Sequence, residues 1–274
     1  MPPALERPLV ASNSLARSIV ELGSATSAVA RAELRKLWRD PTDIFTRSVQ
    51  PALWLLVFGQ VFTRMHAIPT GKLSYLEFMA PGILAQSVLF SSIFYGINVI
   101  WERDVGLLHK MLVSPAHRSA LVLGKCATAG VRGLAQGTVI YAVALLLGIR
   151  VRWDPAALLL VVAAVALGSA LFATFSLVIA CLVKTRDRFM GIGQILTMPL
   201  FFASNAIYPI EVMPRWLQII SRGNPLSYLV DALRVAMIPG ARPVFGVPVD
   251  LALLAVVLLL LVTLASRLYP TIAR

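Results

Sequence analysis

A chain of 274 residues that is 58% hydrophobic and 14% charged lacks the charge a water-facing surface needs, since soluble domains carry about 25% charged residues. The 13 acidic residues stand singly between apolar runs or at their edges, which excludes a carboxylate-clustered metal enzyme and fits the cost of placing charge in hydrocarbon. The net charge of +12 is explained by cationic loops on anionic headgroups, so no nucleic-acid partner is required.

The first 40 residues contain no compact apolar core followed by a small-residue cleavage site, so the first span is expected to act as its own insertion signal. Within residues 1–43, Leu15, Ile19 and Leu22 keep helical spacing, as do Ala30, Leu34, Leu37 and Trp38. Arg31, Arg35 and Arg39 form a basic stripe beside them, a pattern that predicts an amphipathic helix lying in the membrane interface. Asp40-Pro41 ends it, because the residue before proline avoids helical angles.

A bilayer span takes roughly 20 mostly apolar residues. Six such stretches are predicted over residues 44–266: 44–62, 78–100, 134–149 (extended backward through 121–133), 156–183, 190–210 and 249–266. Lys and Arg number 17 in the two terminal segments and the second and fourth connections, against 8 in the alternate connections. The richer side is expected to be cytoplasmic. Both termini then lie inside, with residues 267–274 as a cytoplasmic tail. Cys126 and Cys181 fall near expected cytoplasmic helix ends, where a disulfide is disfavoured.

Between the second and third spans, residues 101–117 form a short amphipathic pattern. Val105, Leu107, Leu108, Met111 and Leu112 share one side; Glu102, Arg103, Gly106, His109 and Lys110 share the other, and Ser114-Pro115 closes the segment. The external connection 208–248 carries Trp216, Leu217, Ile219, Ile220 and the run 225–237, too apolar for a free loop. Short re-entrant helices are expected there, covered by protein. Asp231 and Arg234 are spaced to pair on one helix face.

Glu102-Arg103-x-x-Gly106-Leu107-Leu108-x-x-Met111-Leu112-Val113-Ser114-Pro115, with Arg118 and Leu123-Gly124-Lys125, resembles the signature loop of type-2 ABC transporter permeases. The resemblance is nearest to daunorubicin-resistance-type and to nodulation-factor and polysaccharide exporter permeases. Ala80-Pro81-Gly82-Ile83, Asn224-Pro225-Leu226-Ser227-Tyr228 and Asp231-Ala232-Leu233-Arg234 agree in order and spacing. One departure is His109, where the family often carries an acid.

The resemblance implies an all-α membrane subunit in the cell membrane, of the bacterial plasma or inner-membrane kind, working in pairs, most simply as a homodimer. Two separate cytoplasmic ATPase subunits would supply ATP and Mg chemistry. This chain would hold no cofactor, and it contains no Gly-x-x-x-x-Gly-Lys-[Ser/Thr] phosphate loop of its own. Glu102, Arg103, Gly106, Leu107, Met111, Leu112, Ser114 and Pro115 would couple to the ATPase. Gln86, Phe90, Phe94 and Asn98 of the second span, with Met198, Phe201, Phe202 and Asn205 of the fifth, would line the cargo path. Tyr228, Asp231 and Arg234 would form an external gate. Drug, lipid and lipid-linked glycan all remain open as cargo. The rival readings are an ion-coupled transporter, which would place acids or histidines in mid-membrane, and a non-transporting scaffold.

Overall fold

The computed structural model describes residues 35, 42–65, 68–71, 73–105, 118–183 and 185–268. The expected interfacial helix over 15–40, the segment 106–117 and the tail 269–274 lie outside the described residues. Among those described, the regular structure is entirely helical. Helices α1 (Thr42–Leu53) and α2 (Gln60–Met65) are joined by a π-helical stretch, Trp54–Gly59. Next come α3 (Tyr75–Ile93), α4 (Gly96–Asp104), α5 (Arg118–Leu146), α6 (Pro155–Leu182) and α7 (Arg186–Phe202). A 3-10 turn at Ile210–Val212 leads to α8 (Arg215–Gly223), α9 (Pro225–Met237) and α10 (Val247–Leu268).

Local chemistry fixes the helix ends. Ser74 and Glu77 form a reciprocal capping box that starts α3. Asp154 accepts from the Ala157 N–H ahead of Pro155, which starts α6. Asn224 accepts from the Leu226 N–H ahead of Pro225, which starts α9. The same Asn224 donates through Nδ2 to the Leu200 carbonyl at 2.7 Å, and Ser204 Oγ donates to the Phe201 carbonyl at 2.7 Å. Both carbonyls belong to the last turn of α7, and the Phe201 carbonyl also takes the Ser204 N–H at 3.2 Å. Helix α7 therefore stops at Phe202, eight residues short of the expected fifth stretch ending at 210.

Among the described residues, four helical stretches are long and apolar enough to cross a membrane: Tyr75–Asp104, Val122–Leu146, Pro155–Leu182 and Val247–Leu268. The expected first and fifth spans are not among them. The first is interrupted by Pro51 and the π stretch, and α7 is only 17 residues long and opens on Arg186, Asp187 and Arg188.

Helix α6 is the hub, packed against α3, α4, α5, α7, α9 and α10. Its buried face is rich in small residues, among them Ala164, Ser169, Ala173, Ser176 and Ala180. In lipid, apolar contact alone does not favour helix over tail, so close approach through small residues carries the packing. The connections divide the bundle into two ends. At one, Arg150 of the α5–α6 turn pairs with Glu77 at 3.2 Å, and the Arg152 N–H donates to the Met237 carbonyl at 2.8 Å. At the other, Asp104 pairs with Arg186 at 2.9 Å.

The helix break at Phe94-Tyr95 is stitched to the hub. Ser176 Oγ donates to the Ile93 carbonyl and accepts from the Gly96 N–H at 3.0 Å, all in the buried interior. Replacing Ser176 by alanine strands both groups. The expected loss is about 1–3 kcal/mol, read as a lower unfolding midpoint in detergent or nanodiscs. An unchanged midpoint would show that the break needs no stitch.

Candidate cargo path and its two ends

The first residues of the segment expected to couple lie within α4. Trp101–Asp104 form the last turn of that helix. Glu102 accepts from Lys125 of α5 at 2.6 Å. Arg103 pairs with Asp104 at 3.2 Å, and Asp104 also takes the Arg186 guanidinium of α7 at 2.9 Å. Exposed ion pairs of this kind contribute little stability each. Their importance is geometric: the last residues before 106 are fastened to two other helices. Gly106, Leu107, Met111, Leu112, Ser114 and Pro115 lie outside the described residues.

The second-span residues divide. Gln86, Phe90 and Phe94 line one cavity of about 160 Å³ together with Arg47, Gln50 and Pro51 of α1 and Ser87 and Ser91 of α3. Gln86 is 1% exposed and its Oε1 has no hydrogen-bond partner; Ser87 Oγ has none either. Buried amides normally find partners, so this cavity is polar and unsatisfied. Asn98, one turn further on, is exposed on α4 and lies outside it.

The fifth-span residues do not join that cavity. Phe201 is fully buried and Phe202 part-exposed, and both meet the Trp54 ring edge-on at 6.2 and 6.3 Å between centroids. Met198 is half-buried on α7. Asn205, beyond the end of α7, lies at the opposite end of the bundle from Asp104 and Arg186. The sequence signal for Arg47 and Gln50 was present as polar residues in an apolar run, but which helix they would face was not.

The three expected gate residues lie on α9 and take separate partners. Tyr228 donates to the Arg222 carbonyl at 2.7 Å and stacks on Phe245 at 4.3 Å. Asp231 is fully buried and accepts from the Val244 N–H at 2.8 Å and the Phe245 N–H at 2.9 Å. Arg234, 4% exposed, donates to the Phe78 carbonyl at 3.3 Å and the Asn205 carbonyl at 2.7 Å. Its guanidinium sits 3.9 Å above the Phe78 ring. The expected pairing of Asp231 with Arg234 is thus replaced by two anchors: the acid holds the loop before α10, and the base holds the chain after α7 against α3. Among the described residues, no three His, Cys, Asp or Glu side chains come together to hold a metal ion.

Residues 24–238 match the family model for ABC-2 type transporters, most of the chain and all of the features above except α10 and the loop before it. The chain belongs to the ABC-2 type transporter family. Among relatives of this ABC-2 chain, the transport permease ycf38 of Cyanophora paradoxa is 32% identical over 203 residues, 73% of this chain and 69% of the relative. Nodulation protein J of Neorhizobium galegae is 29% identical, covering 80% of this chain and 82% of the relative. The daunorubicin resistance ABC transporter permease protein DrrB1 of Streptomyces coeruleorubidus is 26% identical over 92% of each. The chain is a membrane protein, and these relatives are transport permease components. The family normally works with an ATPase subunit.

Proposed function

We propose that this permease is the membrane half of an ATP-driven exporter. Two copies pair, and two separate ATPase subunits, which carry ATP and Mg, dock at the end of the bundle where Glu102, Asp104, Lys125 and Arg186 meet. The spans are six: α1–α2, α3–α4, α5, α6, α7 and α10, with both termini in the cytoplasm. Helices α8 and α9 form the re-entrant hairpin of the outer end. The Lys and Arg excess supports a cytoplasmic docking end, and the membrane of this reading is a plasma membrane of the bacterial type. The cargo is large and amphipathic or apolar: a drug, a lipid or a lipid-linked glycan. The pathway runs beside Gln86, Phe90 and Phe94, with Met198, Phe201 and Phe202 at its aromatic flank, and Tyr228, Asp231 and Arg234 fix its outer closure.

The observation that carries this reading is the fastening of residue 104 to α7 and of residue 102 to α5. A push on the following segment, 106–117, is delivered at once to three helices. The test is co-purification with a candidate ATPase, followed by ATPase stimulation by candidate cargoes. Gly106→Pro is expected to interrupt helical hydrogen bonding in the coupling segment. ATP hydrolysis then persists while export falls, with membrane insertion unchanged. Export at the unsubstituted rate would remove the coupling role from this segment.

A further inference from the structure

At the end of the bundle opposite Asp104, the loop after α2, the chain after α7 and the loop after α9 enclose a pocket of about 380 Å³. It is lined by Asn205, Arg234, Glu211 and Arg242, with Phe78 and Thr70 among the remaining walls. Two features mark it as built rather than left over. Asn205 is 1% exposed, and neither Oδ1 nor Nδ2 of its carboxamide has a hydrogen-bond partner. An amide so buried costs folding free energy unless something else completes it. Arg234 is 4% exposed and spends Nε and Nη2 on two carbonyls, leaving Nη1 without a protein acceptor. A guanidinium offers five N–H donors, and the remaining ones are directed by the fixed plane.

The geometry points to a binding site for a phosphodiester, the singly charged linkage of phospholipid headgroups. Arg234 Nη1 is a donor to its anionic oxygens, Asn205 Nδ2 becomes a second when the unpartnered carboxamide, sealed at rest, turns toward the pocket, and exposed Arg242 at the mouth adds attraction. Asn205 Oδ1 is left to accept from a headgroup hydroxyl or ammonium. Glu211, also lining the pocket, sets the charge class. The lining side chains are two cations and one carboxylate, and Asp231 one turn from Arg234 reduces the positive field further, which suits a monoanion and disfavours a dianion such as a phosphate monoester. This site is independent of ATP coupling and is measured on the permease alone.

The test uses the full chain in phosphatidylcholine-free detergent, titrated by calorimetry with dihexanoyl-phosphatidylglycerol, dihexanoylglycerol, dimethyl phosphate and inorganic phosphate at pH 7.5. Saturable binding of the phosphatidylglycerol and not of the uncharged diacylglycerol is expected. Dimethyl phosphate binding with similar affinity would assign the site to a free phosphodiester group, and much weaker binding to a lipid headgroup; either supports the proposal. Asn205→Leu is expected to weaken binding roughly tenfold, the scale of one lost charge-assisted hydrogen bond. Its unfolding midpoint should be equal or higher, because the unpartnered amide is gone while the Asn205 carbonyl still holds Arg234. Arg242→Gln, on the exposed rim, is expected to weaken binding about threefold without touching the core. Absence of saturable binding by both phosphodiester probes overturns the site, as does binding that Asn205→Leu leaves unchanged. Inorganic phosphate binding more tightly than the phosphodiesters would overturn the charge class argued from Glu211.

Discussion

Asp231→Ala is expected to lower the stability of the permease by about 3–5 kcal/mol, the cost of stranding buried polar groups together with a buried cation. The carboxylate is fully buried and accepts from two consecutive backbone N–H groups, those of Val244 and Phe245. Alanine removes the oxygens that both donors use. It also removes the negative charge one helical turn from the buried Arg234 guanidinium. A loss of this size is a large fraction of what holds a domain folded. The measurement is the thermal unfolding midpoint of the nanodisc-reconstituted protein, with the monodisperse fraction after extraction. Asp231→Asn retains one acceptor oxygen and is expected to lie between wild type and alanine. An alanine variant with the wild-type midpoint would mean that the loop 238–246 is held by other contacts and that Asp231 is no anchor.

The main helices were legible because hydrocarbon imposes a composition as well as a length. The apolar runs at 78–100, 156–183 and 249–266 fall on α3–α4, α6 and α10 with small shifts at the ends. The short apolar pieces of 208–248 were legible as two helices because each is too short to span and too apolar to be a loop, and α8 and α9 occupy them. Partnerships between helices were not legible. Spacing put Asp231 and Arg234 on one face, but the bundle offers each a better partner across the chain: two loop amides for the acid, two carbonyls and a ring for the base. Asn205 read as part of an apolar run, yet the carbonyl caps from Ser204 and Asn224 end α7 before it and turn it to the other end. Small residues suit close packing of membrane helices, and the expected fifth stretch carries Gly191 and Gly193. A Cβ at Gly191 would meet nothing within 4 Å, and one at Gly193 would make only ordinary contact, with Ile93 at 3.6 Å. Gly59, Gly96, Gly133 and Gly168 are closely approached by side chains, and Gly82 by backbone, which composition alone does not distinguish.

Gly82 is the point where the chain after α7 crosses α3. A Cβ there would fall 2.7 Å from Ala206 Cα and 2.8 Å from its carbonyl carbon, and closer still to its carbonyl oxygen. These are backbone atoms, so no rotamer change relieves the overlap. Gly82→Ala is therefore expected to push residues 204–206 away from α3 at a cost of about 1–3 kcal/mol, the range for overpacking a well-filled core. Gly191→Ala is the control and should be neutral. The displaced segment carries the Asn205 carbonyl that accepts from Arg234 at 2.7 Å, so the damage does not stay local. Arg234 loses one of its two carbonyls, next to the helical turn whose acid holds the loop before α10. If this chain of anchors is real, Gly82→Ala and Asp231→Ala disturb the same network, and their effects on the unfolding midpoint fall short of additive by about 0.5–3 kcal/mol. Strict additivity would separate them into two independent sites and dissolve the link from α3 through Arg234 to α10.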